Sequence, residues 1–390
     1  MSQGKAWTMN SRLIAGIKGR LPISSRSLRG FRAQDDARYA QLLQVIDDQR
    51  KALDKAQESL DRLEKQCRAL NETLEYVHDS NSVMYWQLFR GDHETTEQAQ
   101  LRFFRGLPKA EGIHALFQDA EARLFELFDQ FCRDHEISYW GTGGTVLGAF
   151  RQQDFIPWDD DIDVYITREQ LSRLEKAVHE DGRFRVTVVW DWYVPCKQIR
   201  FRSIDKANPC FVDLFPLDWV SGDPEDAWQV CTQERIQFAQ GIRKQYQSSS
   251  WSRDIYISGA DPLIPALESD LQAHLEELAT RISILPTADG ATGLIRGIEN
   301  IDEVRQSGPY LTGDWTGSTT LPFRGISVPA PRNYREYLSK AYGDYMALPR
   351  DMHSHEHVAD EYIASPESVR AMRRMLSTNG ERALGDEERK

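Results

Sequence analysis

The apolar residues between positions 39 and 79 follow a seven-residue repeat, with charged residues between them. A strict repeat of this length is typical of a coiled-coil seam, whereas a helix packed on a core shows a broader apolar face. We therefore predict a coiled coil over residues 36–79 and self-association through it. One long helix folded back on the rest of the chain is the alternative. The two series of core positions are Tyr39, Ile46, Leu53, Leu60, Cys67 and Leu74, and Leu42, Gln49, Ala56, Leu63, Leu70 and Val77.

The pattern changes beyond residue 112, where helices and short strands are predicted to follow one another. Residues 113–135 repeat their apolar positions with a helical period, and residues 161–166 alternate as a strand does. This order indicates an α+β fold, with a small mixed sheet and flanking helices, preceded by the coiled coil. The expected organisation is a basic segment over 1–35, the coiled coil over 36–79, a linker over 80–112, a catalytic domain over 113–365 and a charged tail over 366–390.

Composition narrows the class of protein. The chain has 390 residues, is 40% hydrophobic and carries a net charge of −12, which disfavours nucleic-acid binding through phosphates. The first 32 residues reverse this sign, with seven Lys or Arg and no Asp or Glu. They are either a flexible basic tail or a segment that lies on an anionic membrane surface.

The expected location is the cytoplasm, with peripheral contact at the inner face of the membrane as the sharper alternative. The five cysteines are widely spaced and form no CxxC pair, which fits a reducing compartment. No apolar run is long enough to span a membrane, and the first residues lack the apolar core of a secretory signal.

An acidic stretch, IPWDDDIDVYI at residues 156–166, combines four aspartates with residues that favour burial. On a strand, Asp161 and Asp163 would share a face, and two neighbouring carboxylates are stabilised by a cation between them. Asp213, in the apolar stretch FVDLF, is the expected third carboxylate. An oxygen-lined site of this kind suits Mg²⁺ or Mn²⁺. Asp159 and Asp160 are expected to support the site as turn residues.

Phosphate-binding groups are predicted on both sides of this stretch. Gly143, Gly144 and Thr145 follow a predicted strand and begin a helix, so their backbone N–H groups are suited to hold a phosphate. Candidate bases are Arg151, Lys197 and Arg200, which either contact phosphate or pair with the aspartates. In the stretch HSHEH, His353, His355 and His357 alternate, and zinc binding by them is the weaker alternative because no cysteines lie nearby.

Three stretches together resemble the LicD family, which includes the fukutin-type enzymes: YWGTGGTVLGAFRQQDFIPWDDDIDVYI, CFVDLFPLDWV and YREYLSKAYGDYMALP. The resemblance covers roughly residues 115–365 and implies a nucleotidyltransferase-like fold. It implies transfer of a phospho-alcohol, such as phosphocholine, ribitol phosphate or glycerol phosphate, from a CDP-linked donor to a glycan hydroxyl. It also implies that Asp161, Asp163 and Asp213 bind the metal, Asp213 being alternatively the base, and that His355 is a candidate acid, base or phosphate donor.

Two other functions compete with this interpretation. A metal-dependent glycosyltransferase also uses an Asp-X-Asp pair to hold a nucleotide sugar, although the glycine turn and the later FVDLF strand favour the phosphotransferase. A scaffold protein with a vestigial catalytic domain would act through its coiled coil. The presence of Asp161, Asp163 and Asp213 argues against the scaffold.

Overall fold

A computed structural model of the chain describes residues 25–192, 196–299, 308–316, 318–349 and 358–377. The chain divides into two compact units, residues 1–81 and residues 82–390. Within the described residues, none of the helices combines the length and apolar character that crossing a bilayer requires. The basic N-terminal segment, the last residues of the charged tail and the stretch with His353, His355 and His357 lie outside the described residues.

The described part of the first unit is helical. Helix α1 runs from Ser25 to Phe89, and the residues of the seven-residue repeat are exposed along it. Ion pairs and hydrogen bonds four residues apart, such as Lys51–Asp47 and Gln57–Asp61, support the outer surface of the helix. The coiled coil itself stays a prediction.

The segment predicted as a linker contains helix α2, Thr96–Arg105. Thr95 caps this helix, since its hydroxyl accepts from the Gln98 N–H while the Gln98 side chain accepts from the Thr95 N–H. Phe104 is buried, so α2 belongs to the core of the second unit. The helices that follow are α3 (Gly112–Asp134), α4 (Gly143–Arg151), α5 (Arg168–Asp181), α6 (Pro224–Tyr246), α7 (Trp251–Asp254), α8 (Ile264–Arg281), α9 (Thr312–Thr316), α10 (Tyr334–Tyr342), α11 (Asp360–Ile363) and α12 (Pro366–Ser377).

A mixed sheet forms the centre of the second unit, and the predicted α+β class is confirmed. In the described part of the chain nine strands join it, with the central order β1-β2-β5-β4-β3-β6, while β7 and β8 pair with β5 and β9 pairs with β8. Strands β2 and β5 are parallel, and the other pairs are antiparallel. The strands are β1 (Trp140–Gly141), β2 (Asp163–Thr167), β3 (Phe184–Asp191), β4 (Cys196–Ser203), β5 (Val212–Val220), β6 (Tyr256–Ser258), β7 (Ile284–Leu285), β8 (Gly293–Arg296) and β9 (Tyr310–Leu311), with a separate hairpin of β10 (Thr319–Phe323) and β11 (Ile326–Ala330).

The sheet is covered by helix α3, which repeats apolar residues with a helical period. Phe128 and Phe131 on α3 contact Phe201 and Phe184 on strands β4 and β3, with ring centroids 5.1 and 5.6 Å apart. Burial of aromatic side chains of this size is the largest favourable contribution to such a core. A second cluster, centred on Trp190 and Trp251, joins β3 to helices α6 and α8. The strands that carry Asp163 and Asp213 are therefore packed against a large buried core.

Candidate metal centre

Two of the predicted aspartates are brought side by side by the pairing of β2 and β5. Asp163 and Asp213 are register partners in this parallel pair, and the Asp213 N–H donates to the Ile162 carbonyl at 2.8 Å. The residues next to them in sequence, Val164 and Leu214, point to the other face and are buried. Because side chains alternate along a strand, burying Val164 and Leu214 places both carboxylates together on the opposite face.

Asp161 completes the group, but it does not lie on strand β2 as the sequence predicted. Strand β2 begins at Asp163, so Asp161 lies in the loop before it. Carboxylate oxygens of Asp161, Asp163 and Asp213 nevertheless all lie within 4.8 Å of one another, and Asp161 and Asp213 are buried. A second group with the same spacing is Asp159, Asp160 and Asp161. A set of hard carboxylate oxygens at this spacing fits a divalent cation such as Mg²⁺ or Mn²⁺.

The glycine turn before α4 packs directly against these aspartates. A Cβ atom on Gly143, whose φ is +52°, would lie 2.5 Å from Asp163 Oδ2. A Cβ atom on Gly144 would lie 2.2 Å from Asp159 Oδ2. Glycine at both positions permits this close approach to the carboxylates, and at Gly143 it also favours the left-handed backbone. The two residues predicted to approach donor phosphates are the ones that let the turn approach the acidic loop.

Thr142 and Thr145 fix this turn to strand β2. The Thr145 hydroxyl accepts the Asp163 N–H at 2.8 Å, and the Thr142 N–H donates to the Asp163 carbonyl at 3.0 Å. Both backbone polar groups of Asp163 are therefore held by the turn. The side chain of Thr145, predicted to contact phosphate, contributes here to the position of Asp163.

Tyr337 is a further participant that sequence reasoning did not single out. Its hydroxyl accepts the Gly143 N–H at 2.7 Å and shares a hydrogen bond of 2.7 Å with the Thr142 hydroxyl. Tyr337 lies on α10, 194 residues from Gly143, within the stretch YREYLSKAY that carries part of the family resemblance. Burial raises the pKa of its phenol, so the hydroxyl stays protonated. Tyr337 thus occupies one of the N–H groups at the start of α4.

Arg200 pairs with the acidic group, which is one of the two roles predicted for it. Its Nε donates to Asp213 Oδ1 at 2.9 Å, and both side chains are buried. The guanidinium also lies 3.8 Å from the centroid of the Phe211 ring. A buried carboxylate is tolerated when it is paired and hydrogen-bonded in this way.

The other two predicted bases have partners elsewhere in the fold. Arg151 is buried over the ring of Phe104 at 3.7 Å and donates to the Tyr345 carbonyl at 3.2 Å. Burial lowers the pKa of Arg151 to about 10. Lys197 forms an ion pair with Glu268, which also accepts from the Trp190 indole at 3.0 Å. Arg200, Arg151 and Lys197 thus each contact protein groups, and of the three Arg200 contacts the acidic group.

Helix α3 contributes two polar residues that were also missed. Gln118 donates to the Asp159 carbonyl at 2.8 Å and so holds the acidic loop. Glu121 is fully buried, and its Oε1 accepts the Phe211 N–H at 2.9 Å. Burial raises the pKa of Glu121 well above its usual range; Arg202 opposes this shift, and the nearby Asp160 and Asp161 add to it. A polar residue on an otherwise apolar helical face was the signal available in the sequence.

Comparison with known proteins finds a matching family model and several relatives. Residues 136–247 match the model of the LicD/FKTN/FKRP nucleotidyltransferase domain. The chain is 26% identical over 256 residues to the lipopolysaccharide cholinephosphotransferase LicD of Haemophilus influenzae, covering 62% of this chain and 94% of that protein.

Two shorter similarities fall below two thirds of the relatives' lengths. Human ribitol 5-phosphate transferase FKRP is 34% identical over 89 residues, which cover 21% of this chain and 17% of FKRP. The uncharacterized protein RT0683 of Rickettsia typhi is 36% identical over 133 residues, or 32% of this chain and 40% of that protein. The matched residues 136–247 include the glycine turn, the acidic loop and strands β2 and β5, so this part of the chain is similar to the nucleotidyltransferase domain of the LicD family.

Proposed function

We infer that this protein is a metal-dependent phosphotransferase of the LicD type. It moves a phospho-alcohol group from a CDP-linked donor to a hydroxyl of a cell-surface glycan, such as lipopolysaccharide or capsule, or of its lipid-linked precursor. The observation that carries the inference is the convergence of Asp161, Asp163 and Asp213 within 4.8 Å, inside the segment that matches the family. The relatives LicD and FKRP, named for transfer of phosphocholine and ribitol phosphate, support the class of transferred group.

The proposed metal ligands are Asp161, Asp163 and Asp213. When bound there, Mg²⁺ or Mn²⁺ would neutralise charge on the donor pyrophosphate and stabilise the departing nucleotide. Because Arg200 donates to Oδ1 of Asp213, we assign the Oδ2 atom to the metal. This assignment favours Asp213 as a ligand over Asp213 as the base. The arginine keeps one oxygen engaged and fixes the direction of the other.

The remaining residues hold this arrangement in place. Tyr337 and Thr145 anchor the glycine turn and Asp163, so the ligand geometry is set before a donor binds. In the transfer step the acceptor oxygen forms a bond to the phosphorus that carries the alcohol, and the bond from that phosphorus to CMP breaks. The N–H groups of Gly144 and Thr145 at the start of α4 are proposed to meet the donor phosphates. His355 remains the candidate for the proton of the acceptor hydroxyl.

The first test measures donor use. The full-length protein is incubated with Mg²⁺, a surface-glycan extract and either CDP-choline, CDP-ribitol, CDP-glycerol or a panel of nucleotide sugars. We expect release of CMP with a CDP-alcohol, its loss on addition of EDTA, and no turnover of nucleotide sugars. Turnover of a nucleotide sugar without CMP release would instead establish the glycosyltransferase.

The second test identifies the product in cells. Mass spectrometry of surface glycan from a strain that lacks the protein should show loss of a phospho-substituent. Wild-type protein should restore it, whereas the Asp163→Asn variant should not. Restoration by the variant would contradict a catalytic role for the acidic group. Binding of the full-length protein to anionic vesicles, compared with a form that lacks residues 1–32, tests the proposed peripheral contact with the membrane.

A further inference from the structure

The seven-residue repeat forms an uncovered apolar face on α1. Tyr39, Leu53, Leu63 and Leu70 expose 66%, 70%, 57% and 60% of their surface. Helices in proteins obtain most of their stability from packing an apolar face, and helical propensity alone contributes little. A face that extends over residues 39–77, about 58 Å at 1.5 Å per residue, therefore requires a covering partner.

The charges of α1 favour a second copy of the same helix as that partner. With Tyr39 at position a and Leu42 at position d of the repeat, the charged residues from 39 to 77 fall at the outer positions b, c and f, except for Arg50 and Glu64 at position e. Outer residues pair along the helix, as Lys51 does with Asp47 at 2.6 Å. Two copies can therefore approach without opposing like charges beside the seam.

Arg50 and Glu64 also indicate the direction of the second helix. They have opposite charge, and each lies seven residues from Gln57. In an antiparallel pair, residues at e face residues at e across a two-fold axis, so an axis close to Gln57 places Arg50 of each copy beside Glu64 of the other. In a parallel pair, Arg50 would face Val45 and Glu64 would face Ser59, and neither charge would meet its opposite.

The sizes of the core residues lead to the same direction. An antiparallel pair with its two-fold axis level with Glu58 matches a positions with d positions, and Arg50 and Glu64 of the partner helix are then about 3 Å apart along the coil. The small Ala56 then meets the larger Leu60, and the long Gln49 meets the small Cys67. A parallel pair would place Ala56 against its own copy and leave a gap, whereas coiled-coil cores pack at the density of protein interiors. Charge and size thus favour the same arrangement independently.

We propose that the protein self-associates as an antiparallel two-stranded coiled coil with its two-fold axis beside Gln57 and Glu58. The occupant of the exposed face is a second copy of α1, and the two chains continue into their second units from opposite ends of the coil. This inference is independent of the proposed enzymatic function. An antiparallel coil brings different residues of the two chains together than a parallel coil does, so cross-linking between chosen residues can distinguish the two.

The decisive experiment uses Cys67, which is exposed whereas the other four cysteines are buried. In the full-length Gln49→Cys variant, the introduced thiol of one chain lies opposite Cys67 of the other, and mild oxidation should yield a covalent two-chain species. Wild type and the Gln49→Cys/Cys67→Ser variant are matched controls. Their thiols lie 18 residues apart along the antiparallel coil, about 27 Å, and should not cross-link. Cross-linking in either control, or the mass of one chain by light scattering, would overturn the proposal.

A charge exchange tests the pairing without cysteine chemistry. Arg50→Glu places two like-charged pairs beside the seam and should weaken association on the order of tenfold, since each exposed pair contributes up to about 1 kcal/mol. Adding Glu64→Arg should restore the wild-type dissociation constant. Circular dichroism should show equal helix content in all three proteins. Weakening that the second substitution does not repair would contradict the antiparallel register.

Discussion

Two clusters of carboxylates lie near opposite ends of strands β2 and β5, and they differ in how their oxygens and the neighbouring arginines are arranged. At the start of the strands, Asp161, Asp163 and Asp213 converge, and Arg200 donates to Asp213. Past the end of β2, Arg168 bridges Asp218 and Glu299, with its Nη2 at 2.9 Å from Asp218 and 3.0 Å from Glu299. In the first cluster Arg200 donates to Asp213, whereas in the second cluster one arginine contacts both carboxylates.

The second cluster is held together by ion pairs from a single arginine. Burial lowers the pKa of Arg168, but Glu299 and Asp218 more than offset this, so the pKa lies well above the ordinary value. Burial also raises the pKa of Glu299, and Arg168 outweighs that effect to leave it lowered. The planar fork of arginine fits two carboxylates. The first cluster offers converging oxygens instead, in a segment where residues 152–167 contain five Asp and no Lys or Arg.

The largest expected effect is a loss of activity when a carboxylate of the first cluster is replaced. Asp163→Asn keeps the size of the side chain but removes a proposed metal ligand, so CMP release should fall at least about a thousandfold. Asp154→Asn is the matched control, because Asp154 precedes the acidic loop and pairs with Lys109 and Arg324. The control should retain activity within a few fold. Equal activity of both variants, with unchanged circular dichroism, would show that Asp163 has no special role in the reaction.

Stability should respond most strongly at the second cluster. Arg168→Met leaves two buried carboxylates without their arginine, and the free energy of unfolding should fall by roughly 3–5 kcal/mol in urea titrations. Arg183→Met is the control, since Arg183 pairs with Asp181 near the surface and should cost less than about 1 kcal/mol. Similar losses in both variants would show that Arg168 is not essential for burying these carboxylates.

The effect of Mg²⁺ on the melting temperature should differ between variants of the two clusters. Arg200→Gln removes the ion pair of Asp213 and should lower the melting temperature, and Mg²⁺ should recover more of this loss than it adds to wild type. The reason is that a cation bound at Asp213 replaces the missing positive charge. Arg168→Met should gain no more from Mg²⁺ than wild type does. Thermal melts of the three proteins with Mg²⁺ or EDTA measure this, and equal shifts in all three would count against the assignment.

The smallest effect is expected at the support of the glycine turn. Tyr337→Phe leaves the Gly143 N–H and the Thr142 hydroxyl without their shared partner, and should destabilise the protein by about 1–3 kcal/mol. Activity should fall less than in Asp163→Asn, because the metal ligands remain. Tyr362→Phe, at a half-exposed tyrosine, is the control. Unchanged stability of Tyr337→Phe would show that the hydroxyl does not hold the turn.

The sequence predicted those parts of the site that are concentrated in short stretches. Asp161, Asp163 and Asp213 stand out because charged residues interrupt apolar runs, and the mixed sheet follows from the same runs. Glu121 and Tyr337 did not stand out, since their partners Phe211 and Gly143 lie 90 and 194 residues away. Contacts at such separations depend on the packing of whole elements, which a local pattern does not contain.

The glycine turn is a second case in which the sequence predicted a local feature but not its partner. Glycines between a strand and a helix predicted close approach, and the structure has it, but the groups that approach are the carboxylates of Asp163 and Asp159. The local sequence indicated a turn at Gly143, but it did not define which group the turn approaches. Arg200 illustrates the point as well, because spacing along β4 allowed either a phosphate or an aspartate as its partner.

The sheet pairing of β5 determines how long a segment of the chain must be to fold as an independent domain. The stretch that matches the family ends at residue 247. Residues 217–220 of β5, however, pair with β8, Gly293–Arg296, which lies beyond this end. Asp218 forms an ion pair with Arg168, and Arg168 also pairs with Glu299, which lies beyond it as well. Helix α3, which covers the sheet, begins before the match. A fragment cut to residues 136–247 would lose both β8 and helix α3, so the smallest segment that can fold as a working module is considerably longer than the stretch that matches the family.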